Sequence, residues 1–358
     1  MVWGFCGVLM ATGLRLASLG IAALILILVG YFTQALPQLG ENWLPQSFWE
    51  GMIAFMPLMI LGWFVPLARW CRSRWLFGLA GLALAPTVAL NVLFLTGEVP
   101  DWLGAALALF LPVALLWSYD AQAWRLTRRW TAGRDASQEP GSRRGDRFQP
   151  IARALALVGL ALSLYIISFR GFWAQPWSGG SFSAEPAHWI WLLDELLLLI
   201  WAKLGWLHLL RRGASLGGGL RLGANVFSGG QVFSGGQAFS GRKRRALNSG
   251  LVALLIVLPV VLILWTGLVG ELPIVASWMV NVLLALLAIG LIRDGLALGL
   301  RPYFWFGMAL LVVEILTRTF EYDAGLTLKA LVFALCGLAV LAAGVWFERQ
   351  YKARLVAA

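Results

Sequence analysis

The sequence predicts an all-α fold: a polytopic transmembrane helix bundle of about ten spans, with both termini cytoplasmic. Three observations carry this. The 358 residues are 60% hydrophobic and 13% charged, with a mean hydropathy of +0.79, which leaves too little polar surface to coat a soluble globule. Apolar runs repeatedly reach the ~20 residues that cross a bilayer as a helix. They lack the alternation of barrel strands, so in lipid their backbone groups have to be satisfied within helices. Finally, 24 of the 28 Lys and Arg residues fall in every second gap between the runs or at the span ends and tail on that side, the pattern of loops retained in the cytoplasm.

The elements follow in order. Residues 1–11 are apolar but have neither the charged start nor the small-residue cleavage site of a signal peptide, so the first span, near 14–36, reads as an uncleaved insertion signal. Spans near 48–68 and 75–95 flank Arg69, Arg72 and Arg74. A fourth, near 102–120, leads into a stretch holding Arg125, Arg128, Arg129, Arg134, Arg143, Arg144 and Arg147. That stretch, 121–150, is polar and broken by Gly133, Pro140, Gly141 and Gly145, and cannot bury enough apolar surface to fold alone. It is read as a basic cytoplasmic linker dividing a four-helix membrane segment, 1–120, from a six-helix segment, 151–358.

The fifth and sixth spans lie near 151–169 and 188–210, followed by a Gly-rich cytoplasmic loop, 211–248. Within that loop VFSGGQ occurs twice, at 226–231 and 232–237. FSGGQ resembles the signature peptide of ABC-type ATPases, but the chain has no GxxxxGK[ST] loop to cradle phosphates, so the repeat reads as a flexible linker. The RKRR run at 242–245 suits anchoring at a lipid surface. Spans near 249–269 and 274–292 are joined by a tight turn, Gly270 to Pro273, and the last two lie near 303–320 and 327–347. Arg293 and Arg301 fill the basic gap between them, and Arg349, Lys352 and Arg354 the tail. The intervening gaps carry Glu41, Glu98, Asp101, Glu185, Glu271, Glu321 and Asp323, with only Arg170 and Arg318 at their edges.

The twenty Trp residues gather toward span ends, as an interfacial belt does; Trp102, Trp173, Trp189 and Trp191 fall at outer ends and Trp63, Trp70, Trp75 and Trp117 at inner ones. The +11 net charge sits on the cytoplasmic side, where retention and anionic headgroups account for it, and no nucleic-acid partner is implied. Cys6, Cys71 and Cys336 suggest no disulfide framework.

Ionisable residues at membrane depth cost at least ~2.5 kcal/mol each, which makes them functional candidates by default. The sixth span holds three: Asp194, Glu195 and Lys203. Asp194 falls roughly 8 Å outward of the midpoint and Lys203 roughly 5 Å inward, and Asp194 points nearly opposite Lys203 on the helix. Two readings stand: a polar pathway on this span, or carboxylates reaching the outer interface while Lys203 snorkels inward. In the ninth span Glu314 and Arg318, four apart in the favourable order, read as a structural ion pair. Asn91 and Asn281 are candidates for interhelical hydrogen bonds, and Gly337 with Gly344 suggests a close-packed seam. His188 and His208 are too far apart to share a metal; there is no HExxH, GxSxG or nucleotide loop, and neither enzyme activity nor a cofactor is expected.

The C-terminal end carries Arg293-Asp294-Gly295, then Leu316-Thr317-Arg318-Thr319-Phe320-Glu321, then Trp346-Phe347-Glu348-Arg349-Gln350. Over roughly the last 60 residues this resembles a family of predicted bacterial polytopic membrane proteins of unknown function. The resemblance implies a prokaryotic protein, placed in the bacterial inner membrane, and supplies no reaction. The expected function is transport-like or ligand-sensing, with a small-molecule substrate that the residues do not name. The alternative is a scaffold or accessory subunit with a membrane-protein partner.

Overall fold

A computed structural model describes residues 2–36, 52, 54–95, 99–119, 148–174, 177, 189–215, 235–270, 272–298, 300–321 and 325–357. The linker residues 121–147 and half of the Gly-rich loop, 216–234, lie outside the described residues. The helices are α1 (Val2–Leu14), α2 (Ala17–Ala35), α3 (Met56–Trp70), α4 (Arg74–Phe94), α5 (Asp101–Ser118), α6 (Gln149–Ser168), the short α7 (Arg170–Trp173), α8 (Trp189–Ser215), α9 (Gly235–Leu268), α10 (Pro273–Leu298), α11 (Arg301–Glu321) and α12 (Leu326–Ala357). The fold is all-α.

The ten expected spans correspond to α2 to α6 and α8 to α12. Eight of these are long and apolar enough to cross a membrane. The other two are α3, which is short among the described residues, and α8, whose apolar run is interrupted by Asp194, Glu195 and Lys203.

Three local features depart from the sequence expectation. Residues 2–14 form a helix that doubles back on α2: a Cβ at Gly7 would lie 3.1 Å from that of Ala23, and Gly4 abuts Ile27. The first span therefore starts at Ala17, after a turn in which Arg15 takes a left-handed φ of 54°. Helix α9 begins at Gly235 instead of near 249, so the end of the repeat and the RKRR run are helical. The interfacial belt is also incomplete. Trp173 and Trp191 are each 1% exposed, the first donating its indole N–H to the Ile167 carbonyl (2.5 Å), the second stacked on Phe94 with centroids 4.7 Å apart. A ring at a span end can bury as much apolar area against protein as against lipid when its N–H finds a carbonyl.

The chain forms two compact units, 1–160 with 176–270, and 161–175 with 271–358. In the first, the contacts fix helix directions. Gly20 of α2 meets Leu67 of α3 and Leu76 of α4, while Tyr31 of α2 meets Thr87 and Asn91 of α4, so α2 and α4 run parallel. Gly81 of α4 abuts Leu155 of α6 and Leu116 of α5, and Gly104 of α5 abuts Val92, so α5 runs against them. Helix α8 also runs against α4, with Asp194 beside Asn91 and Trp191 beside Phe94, and Gly205 packs on Ser118 at the end of α5. Spans consecutive in sequence thus alternate in direction, and the ends bearing Arg15, Arg69, Arg72, Arg74 and Arg153 gather on one side of this unit. Arg15 lies close enough to Cys71, in the α3–α4 turn, to act on its thiol, which burial pushes up and the guanidinium draws down.

In the second unit α10 and α11 form the tightest pair. A Cβ at Gly307 would lie 2.7 Å from the Ala288 carbonyl oxygen and 2.9 Å from the Ile292 nitrogen, and one at Gly295 would lie 2.5 Å from the Phe304 nitrogen. Only glycine lets two backbones approach this closely, as in small-residue membrane interfaces. Phe304 stacks on Phe347 of α12 at 4.3 Å, and Arg301 pairs with Glu348 at 2.9 Å. The seam expected at Gly337 is not there: a Cβ would meet nothing within 4 Å, whereas Gly344 faces Trp305 at 3.0 Å.

Candidate functional site

Helix α3 is irregular for a reason written in its sequence. Pro57 and Pro66 carry no N–H, and between them the backbone widens into a π turn at Ile60–Phe64, with the Val65 N–H bonded five residues back to the Ile60 carbonyl. Breaks of this kind in a membrane helix survive when side chains of neighbouring helices take up the freed backbone groups. Just ahead of α3 the Ala54 carbonyl accepts from the Asn91 Nδ2 of α4 at 2.7 Å, and Leu58 in the first turn of α3 lies close to the Asp194 carboxylate of α8.

Asn91 is the hub. Its amide also donates to Asp194 Oδ2 at 3.1 Å, and its Oδ1 accepts from the Tyr31 hydroxyl at 2.9 Å, with the Thr87 carbonyl a further 3.3 Å option for that hydroxyl. Tyr31, Thr87, Asn91 and Asp194 are each 0% exposed, and Thr87 spends its own hydroxyl on the carbonyls of Ala83 and Leu84. Four helices, α2, α3, α4 and α8, thus meet at one polar node inside an apolar cluster that includes Ile27, Ala54, Met56, Leu90 and Trp191.

Glu195 stands beside the node and is 2% exposed, yet neither of its carboxylate oxygens has a hydrogen-bond partner, and Asp194 Oδ1 has none either. Both carboxylates lie near enough to Tyr31 to act on its hydroxyl electrostatically. The buried stripe of α8 is Trp191, Asp194, Glu195, Leu198 and Ala202, a helical repeat that turns both acids inward. The outer-interface reading of the two acids is not what the structure places: they face protein. Lys203 lies on the exposed side of α8, roughly 12–13 Å further along the axis, and is not brought to the acids.

The second candidate, Glu314 with Arg318, is also rearranged. Arg318 bonds Glu321, three residues on, and the Ser168 hydroxyl, and its guanidinium sits 4.6 Å from the Phe169 ring centroid. Glu314 is buried with Oε2 unpartnered. The i, i+4 pairing loses because α6 ends beside α11 and offers more. Glu321 Oε1 accepts from the Arg170 N–H at 2.8 Å, so Glu321 holds both Arg318 and the start of α7. The Ser168 carbonyl, left open by the helix end, takes Ser277 Oγ at 2.8 Å and Asn281 Nδ2 at 3.4 Å. This cluster staples the α6–α7 break and leaves Glu314 on the wall of an open groove of about 400 Å³ with Leu311, Ile315 and Leu328.

Sequence reasoning found Asp194 and Glu195 but missed Tyr31 and Thr87, and it read Asn91 only as a generic interhelical donor. No sequence signal pairs Asn91 with the Ala54 carbonyl, which lies just ahead of α3. Among the described residues no group of three or more His, Cys, Asp and Glu side chains is placed to hold a metal. No protein-family model, curated protein or solved structure matches this chain.

Proposed function

We propose that this is a multi-pass protein of a bacterial inner membrane that works as a transporter or ligand sensor through the polar node of α2, α3, α4 and α8. The arginine-bearing helix ends lie in the cytoplasm, by the retention of basic loops. The observation that carries the reading is the adjacent pair Asp194 and Glu195, buried in the protein interior with three carboxylate oxygens lacking donors. Purely structural burial of two acids would be expected to recruit a donor for every oxygen, because an unpaired buried polar group is costly. A broken helix whose backbone contributes to the same node is the arrangement that membrane transporters use at substrate and coupling-ion sites. No enzymatic chemistry is proposed. The likeness of the last 60 residues to predicted bacterial membrane proteins supports the placement and adds no activity.

The test is charge movement. Proteoliposomes on a solid-supported membrane are challenged with jumps in pH, Na⁺ and a panel of sugars, amino acids and organic acids. Wild type is expected to give a transient for at least one, lost in Glu195→Gln and kept in Lys203→Gln. A wild type electrically silent and unstabilised by every solute would remove the reading.

One feature favours the second reading, an accessory subunit for a membrane partner. Helix α12 buries only 11% of its apolar window, and exposes Leu331, Phe333, Leu335, Leu338, Leu341 and Val345. Purification in mild detergent with a stoichiometric second protein, together with silence in the charge-movement assay, would favour that role.

A further inference from the structure

We infer that Asp194 and Glu195 form the binding site for a small monovalent cation, a proton or a sodium ion, with Glu195 as the residue that takes it. This rests on the functional reading above and names the ligand of that site. Glu195 is 2% exposed with neither carboxylate oxygen bonded, and Asp194 Oδ1 beside it is likewise open. An ionised carboxylate in such a place needs a compensating charge. Among the described residues no Lys or Arg pairs with either acid, and Lys203 lies on the exposed side of α8.

The neighbouring elements confirm how few charges face the pair. Helix α2 contributes Tyr31, α4 contributes the neutral Asn91 and Thr87, and the segment entering α3 the Ala54 carbonyl and the neutral Leu58. Helix α5 has an acid, Asp101, in its first turn and no base there. Arg69 and Arg74 sit at the opposite ends of α3 and α4. The balance at the node is therefore negative, and a cation is the chemistry that settles it.

The open oxygens limit which cation fits. Calcium takes about six to eight oxygen ligands and magnesium demands a near-octahedral set, whereas this node offers three uncommitted oxygens. Transition metals would call for His or Cys ligands, and no such cluster occurs among the described residues. A proton needs one oxygen, and sodium could add the Ala54 carbonyl, which has a second lone pair beside the Asn91 amide. The two acids differ in role. Asp194 receives a hydrogen bond from Asn91 that fixes its orientation, so it stays in place while Glu195, whose oxygens have no hydrogen-bond partner, changes its occupancy. The helix directions put the node toward the end of the unit away from the arginine-bearing turns, so the cation enters from that side.

The experiment is infrared difference spectroscopy on the full chain in lipid nanodiscs, stepping pH at fixed choline chloride and then Na⁺ against choline at fixed pH. A protonated Glu195 gives a carboxylic-acid carbonyl band that titrates and shifts in D₂O; sodium gives a carboxylate band that moves with Na⁺. Either band, absent in Glu195→Gln and retained in Lys203→Gln, upholds the site and names the cation. Spectra of wild type and Glu195→Gln that coincide in both series overturn it. Should Glu195→Gln fail to fold, Glu195→Asp, which keeps the charge and moves the oxygens, has to displace the band; an unmoved band overturns the assignment. A cation-sensitive band without charge movement in proteoliposomes upholds the site and removes the transport reading. Charge movement without the band does the reverse.

Discussion

Replacing Asn91 by Leu is the sharpest perturbation of the node, because it keeps the side-chain branching and heavy-atom count and removes every polar atom. Three interactions go: the donations to Ala54 O at 2.7 Å and Asp194 Oδ2 at 3.1 Å, and the acceptance from Tyr31 at 2.9 Å. The losses are unequal. Tyr31 can turn its hydroxyl to the Thr87 carbonyl, 3.3 Å away, so it forfeits little. The Ala54 carbonyl and Asp194 Oδ2 are left without that donor, each at a cost of about 1–3 kcal/mol for an unsatisfied buried group. Interhelical hydrogen bonds in membranes average only ~0.6 kcal/mol, because the unfolded reference also finds partners, so the lower part of that range applies. The expected destabilisation is about 2 kcal/mol for Asn91→Leu and about 0.6 kcal/mol for Tyr31→Phe, which spares both donations. Reversible unfolding in mixed micelles with rising SDS fraction measures both. If the node exists, the Tyr31→Phe effect shrinks in the Asn91→Leu background. Asn91→Leu within about 0.5 kcal/mol of wild type would refute the reasoning, since that is the range of a substitution touching nothing.

The same unfolding assay serves the second unit. Gly307→Ala forces a Cβ against the Ala288 and Ile292 backbone and is expected to cost about 1–3 kcal/mol, while Gly337→Ala, in open space, changes little. Arg318→Gln is expected to lose about 2 kcal/mol through Glu321 and Ser168, whereas Glu314→Gln stays near wild type; a larger loss for Glu314→Gln would restore the Glu314–Arg318 pairing. In a background with the three native cysteines replaced by Ser, Arg15→Cys and Arg72→Cys are expected to react with an impermeant maleimide from one and the same face. Opposite faces would refute the packing of the α1–α2 turn beside the α3–α4 turn.

Periodicity and charge made the helices and their alternating directions legible, because a span announces itself by length and a basic gap by composition. What the chain could not announce was which face of each span meets which neighbour. Asp194 and Glu195 stood out as expensive residues, but only the packing of α4 and α3 on α8 shows that they face protein and that Lys203 does not join them. Glu314 and Arg318 were paired on the sequence because i, i+4 is the nearest geometry on one helix; the end of α6, remote in sequence, supplied better partners. Gly7, Gly295 and Gly307 carry close contacts while Gly337 carries none, and no spacing rule separates them. The interleaving of the two compact units also has no marker in the residue order, since its boundary passes through the middle of α6.

Helix α12 meets α11 through a short aromatic stack at Phe304 and Phe347, a Phe320–Phe333 edge contact and the Arg301–Glu348 bridge, with almost no interior of its own. Its position is therefore a property of the solvent around it more than of the polypeptide beside it. Solubilisation exchanges that solvent, and the final helix is the element whose position should respond first. Spin-label distances between α11 and α12 should broaden in detergent while those between α10 and α11 remain narrow.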